Sequence, residues 1–248
     1  MKFLFSSLIV IGALSAQAQN RDSRYYEIKN VRIQEVQETR AGQSKFLHET
    51  ADNFTEGCEA TGSGLNSGDL VTQDPANPVN PIDLLDVIVD KIINIGKKIW
   101  AIVDAGRPVV NLKVDVAHAL PAGVRCWSDL EGWNAPTTKL YEVSYENGFG
   151  STVVDYAFRV SFISGGSYKG QGEYITMATI QPTRVQVAWG FRFDATATIP
   201  MVFNQGTKSK PLAGMEMLMH WKVESPLTHI QEAEAFFVNG KGLLQHIQ

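Results

Sequence analysis

The residues with the means to do chemistry are few in this chain, and their spacing matches no standard catalytic arrangement. Asp115 and His118 are close together and Ser128 and Asp129 follow, which puts the parts of a nucleophile, base and orienting acid within fourteen positions. No G-x-S-x-G elbow is present to strain a serine into an exposed turn, so His118 reads as an ordinary polar residue at a strand end. The acidic pairs Asp129/Glu131 and Glu232/Glu234 are carboxylate couples of the kind used in acid–base work, and nothing in their surroundings marks a shared cleft. They read as solvated. Trp127 and Trp133 flank the first pair beside Cys126, as anchoring aromatics.

Metal chemistry has one soft candidate. His48, His118, His220, His229 and His246 are scattered, with no H-E-x-x-H and no paired C-x-x-C. Met215-Glu216-Met217-Leu218-Met219-His220 is rich in thioethers, and thioethers with imidazole suit Cu(I). In a strand, however, the three methionines face one side and His220 the other, so the run reads as a stripe packing on a core. No metal and no cofactor is expected, and an enzyme is disfavoured.

Stepping from these residues to the segments that carry them, the amino terminus indicates the compartment. Lys2 is followed by an apolar stretch from Phe3 to Leu14 and by Ala16-Gln17-Ala18, the pattern of a secretory signal peptide cleaved after residue 18. The apolar run is about a dozen residues, short of the roughly 20 that a spanning helix needs, so no integral span is expected in the mature chain. The expected location is periplasmic or secreted. In that compartment the two cysteines, Cys58 and Cys126, are expected to form a disulfide. It would close a loop of about 68 residues, worth about 4 kcal/mol on chain entropy.

The formal charge of −4 is not clustered, and the basic footprint of a nucleic-acid binder is missing. Residues 19–80 are polar and end in GCEATGSGLNSGDLVTQDPANPVN, a solvated loop by composition. Residues 81–248 are expected to form a single globular domain. Its first element is expected to be a helix: Asn80 as cap, Pro81 in the first turn, and an apolar run reaching Asp104 before Gly106 and Pro108. That helix of about 23 residues would be apolar over more than half its circumference, with Gly96 allowing close approach by another element.

Beyond it the period changes to two. Val185, Val187, Trp189, Phe191, Phe193, Ala195 and Ala197 alternate with polar residues over 184–198, as one long strand. Residues 154–162 and 215–224 alternate similarly, and weaker signals cover 109–116, 138–146, 173–181 and 227–238. Turn signals lie at Asn147-Gly148, Ser164-Gly165-Gly166, Gln181-Pro182-Thr183, Ser225-Pro226 and Asn239-Gly240. The expected fold is α+β: a curved, mainly antiparallel sheet of about six to eight strands packed on one long amphipathic helix.

The surplus of apolar surface points to a non-enzymatic exported protein that binds an apolar or amphiphilic envelope component, or a partner protein, between helix and sheet. Trp189, Phe191, Phe193, Met215, Met217, Met219 and Trp221 are the candidate lining. The alternative is a membrane-associated or assembly protein of the outer envelope, since long alternating strands also suit transmembrane barrels.

Overall fold

The computed structural model describes residues 23–37, 87–109, 115–124 and 126–247. The signal peptide, the Gly/Ser/Pro-rich segment, Asn80, Pro81 and Cys58 lie outside the described residues, as does most of the strand expected at 109–116.

The expected α+β fold is replaced by an almost wholly antiparallel β architecture: 70% of the described residues are strand, and among them no helix has seven or more residues. Twelve strands are present among the described residues: β1 (Ile28–Val36), β2 (Ile88–Gly96), β3 (Ile99–Asp104), β4 (Arg107–Pro108), β5 (Ala117–Ala122), β6 (Thr137–Asn147), β7 (Thr152–Tyr168), β8 (Gln171–Val187), β9 (Arg192–Asn204), β10 (Ala213–Glu224), β11 (His229–Asn239) and β12 (Leu244–Ile247). They form two six-stranded sheets, ordered β1-β6-β7-β8-β5-β2 and β12-β11-β10-β9-β3-β4.

The long amphipathic helix is the largest correction. Its described part is β2 and β3, which belong to different sheets. Eight of the 17 residues from Ile88 to Asp104 are Ile or Val, whose branched Cβ is stiff in a helix and packs well on a pleated surface. In β3, Trp100 and Ile102 are buried while Ile99 and Ala101 are exposed. Gly96 ends β2 at φ +99°, and a Cβ there would lie 2.6 Å from the Val116 carbonyl oxygen. The close approach is real, but its partner is the backbone entering β5. Directly after it the chain crosses to the second sheet, held by Lys97 N–H to Val116 O (2.9 Å) and Ile199 N–H to Lys98 O (2.8 Å).

The long strand expected over 184–198 is likewise two strands in different sheets. β8 stops at Val187, Phe191 N–H closes a turn on Ala188 O at 3.1 Å, and β9 starts at Arg192. Gly190, at φ +84°, makes that turn. Conversely, two expected turns lie inside strands. Ser164-Gly165-Gly166 and Gln181-Pro182-Thr183 are register shifts in the β7–β8 ladder, where extra residues bend long strands.

One core lies between the sheets. Tyr141, Val143, Tyr145, Tyr156, Phe158 and Phe162 face Phe193, Met215, Met217, Met219, Trp221 and Phe236, and all twelve are buried. Tyr156 and Phe193 meet across it at 4.8 Å between ring centroids, and Tyr141 and Phe236 at 4.9 Å.

Candidate functional site

Of the seven residues expected to line a ligand site, five fill this core. Phe193, Met215, Met217, Met219 and Trp221 are enclosed by protein, Met219 Sδ accepting from Tyr156 Oη at 3.3 Å. Trp221 Nε1 donates to Tyr145 Oη (2.6 Å), which donates to Glu232 Oε2 (2.5 Å). Burial and that carboxylate raise the phenol above its ordinary range. Glu232 and Glu234 therefore turn inward along the seam between the sheets, Glu234 pairing with His246. The solvated reading of that pair fails because β11, between β10 and β12, alternates so that every second residue turns toward the core.

The Asp115, His118 and Ser128 set has other partners. His118 is buried, with Nδ1 2.7 Å from Thr176 Oγ1 and 3.4 Å from the Met177 amide. Burial pushes its imidazole down to about 4. Asp115 pairs with Lys97 at 3.1 Å, and Ser128 donates from N and Oγ to Cys126 Sγ at 3.4 and 3.0 Å. His220 is exposed on the face opposite the methionines, and no cluster of three or more His, Cys, Asp or Glu able to hold a metal occurs among the described residues.

Trp189 and Phe191 belong to a different place, one end of the sandwich. Three hairpin connections meet there: 148–151 after β6, 188–191 after β8 and 225–228 after β10. The segment Arg24 to Tyr26, the end of a 3-10 turn, ties all three together. Gly148 N–H donates to Arg24 O at 2.8 Å, and the Arg24 guanidinium lies 4.6 Å over the Phe149 ring. Tyr25 Oη donates to Trp189 O at 3.0 Å, and the Tyr25 and Tyr26 rings lie 5.8 and 6.2 Å from Phe191. Ser225 Oγ and Thr228 Oγ1 both donate to Tyr26 O, at 2.8 and 2.7 Å. A Cβ on Gly190 would meet the Tyr26 ring at 2.8 Å, so the turn is fitted to the aromatic beneath it.

Each tip presents one large apolar side chain outward: Phe149 is 51%, Trp189 68% and Leu227 58% exposed. Ordinary turn positions favour Gly, Asn, Asp, Ser and Pro. Phe149 and Leu227 are absent from the expected site because that site rests on apolar residues in strands, most of which are core. Their signal was available: a bulky apolar residue set among turn formers, in Asn147-Gly148-Phe149-Gly150 and Ser225-Pro226-Leu227.

Beside this end, the outer face of the first sheet carries a hollow of about 510 Å³ lined by residues of β1, β6, β7 and β8 and by Ala188. The chain matches no family model, no curated protein and no solved structure.

Proposed function

We propose that this chain is an exported, non-catalytic binding protein that docks end-on onto an amphiphilic surface of the envelope, a lipid interface, through Phe149, Trp189 and Leu227. The observation that carries the reading is the exposure of those three side chains at neighbouring tips that Arg24 to Tyr26 lock into one platform. A protruding trio of this kind is shaped to enter the headgroup region, and Trp is suited to that depth because its ring is apolar and its N–H polar. The location outside the cytoplasm and the Cys58–Cys126 disulfide are part of the same proposal, supported by the residue pattern at the amino terminus and by the even cysteine count.

The alternative, an integral barrel, is disfavoured by the distribution of polarity. Transmembrane barrels carry an apolar outer band and a polar interior, whereas here the space between the sheets is filled by Tyr, Phe, Met and Trp side chains. The outer faces carry ion pairs such as Arg184–Asp155 and Arg192–Asp194.

Co-sedimentation with vesicles of zwitterionic phospholipid tests the reading. Withdrawing one large apolar side chain from water is worth about 1.5–3 kcal/mol, so Trp189→Ala is expected to lower vesicle partitioning by about tenfold or more. A protein that does not partition, or one that partitions equally after Phe149→Ala, Trp189→Ala and Leu227→Ala, contradicts it.

A further inference from the structure

We infer that the hollow on the outer face of the first sheet is a binding site for an uncharged, hydroxyl-rich ligand, a saccharide unit. Its volume of about 510 Å³ falls within the roughly 300–1,000 Å³ typical of small-molecule sites. The sheet hydrogen bonds of β6, β7 and β8 are used within the ladder, so recognition falls to side chains. Gln34, Gln186, Ser144 and Thr152 each donate and accept, while Glu142 and Asp155 only accept. A sugar hydroxyl needs that mixture, because it donates one bond and accepts others at the same centre.

The charge balance selects against ions. Arg184 forks onto Asp155, Nε to Oδ2 and Nη2 to Oδ1, both at 2.9 Å, and reaches Glu142 Oε1 from Nη2, also at 2.9 Å. Its guanidinium charge, with that of Arg32 on the lining, offsets the two carboxylates. The charges thus balance to about zero, which favours an uncharged ligand over phosphate or a free cation. The fork also fixes both carboxylates in place, as acceptors that need no ordering when a ligand arrives. Val153, Val187 and Ala188 add an apolar strip to the same wall, suited to the C–H face of a pyranose.

None of the three tip side chains lines the hollow, so this inference goes beyond the docking proposal and does not fall with it. The test is amide NMR of the full mature chain titrated with soluble methyl glycosides of glucose, galactose, mannose and N-acetylglucosamine, and separately with inorganic phosphate. At least one glycoside is expected to move the amides of Ser144, Thr152 and Gln186, with affinity falling about tenfold in Gln186→Ala, about 1.4 kcal/mol, the loss of one hydrogen bond. Gln186 is exposed, so this variant keeps its fold, and Trp189→Ala is expected to leave the shifts unchanged. Repeating the titration with glycolipid vesicles separates a headgroup ligand from a free saccharide: retention above that of sugar-free vesicles, lost in Gln186→Ala, assigns the headgroup. Phosphate moving the same amides as strongly, glycoside shifts confined to the tips, or no shift with any glycoside overturns the inference.

Discussion

His118 is a base held neutral inside the protein. Its imidazole is desolvated between β5 and β8 and lowered to about 4, while in the unfolded chain it returns to about 6.5. Between those values the unfolded state binds the extra proton, so stability rises with pH there. The neutral ring's contribution is complete above about pH 6.5 and is lost as the pH falls toward 4, by about 3 kcal/mol in all. Urea unfolding from pH 7 to 4 is expected to show this loss, and His118→Asn to flatten it; an unchanged slope in that variant would place the acid sensitivity elsewhere. A lone histidine beside an aspartate in sequence gave no sign of this burial. The ring is enclosed by β8 on one side, through Thr176 and Met177, and by β2 on the other, where a Cβ on Gly96 would lie 3.3 Å from it.

At the scale of elements, β7 shows how glycines inside a strand are fitted to a neighbour. A Cβ on Gly166 would lie 2.3 Å from the Trp133 ring, whose Nε1 donates to Trp127 O at 3.3 Å. Gly166→Ala is therefore expected to lose about 1–3 kcal/mol through overpacking, and Trp133→Ala in the same chain to recover part of it. Additive losses in a thermal-unfolding cycle would show that the two do not meet. The same glycines give Ser164-Gly165-Gly166 the composition of a turn where the strand only bulges. The alternation of β6, β10, β11 and the first half of β9 was legible because one face of each is buried and the other reaches water, whereas β7 alternates in sequence although both of its faces are buried over 156–162. β2 and β3 were not, since Ile and Val cluster on both faces wherever a chain passes from one sheet to the other. The turn at Trp189-Gly190 was hidden because its apolar residues happen to continue the alternation of β8 into β9.

For the whole molecule, two sheets enclosing one aromatic and methionine-rich core give a rigid body whose ends are free to vary. The core does not depend on a staple. Reducing a Cys58–Cys126 bridge is expected to lower the thermal midpoint without abolishing the fold, and two titratable thiols per denatured, unreduced chain would refute the bridge. The proposed docking would use the other end of this body, of which the sequence offers only Trp189 and Phe191, both continuing the alternation of a strand. The platform was illegible as a unit because it joins four segments from Arg24 to Leu227 that only the fold brings together. Of the five tryptophans Trp189 is the exposed one, at 68%, whereas Trp100 and Trp221 are buried and Trp127 and Trp133 partly so, so it is itself the reporter. Tryptophan fluorescence with vesicles of brominated phospholipid addresses the docking directly. The account predicts quenching and a blue shift in the native chain, both lost in Trp189→Phe while vesicle binding persists; unquenched emission from a vesicle-bound native chain would contradict it.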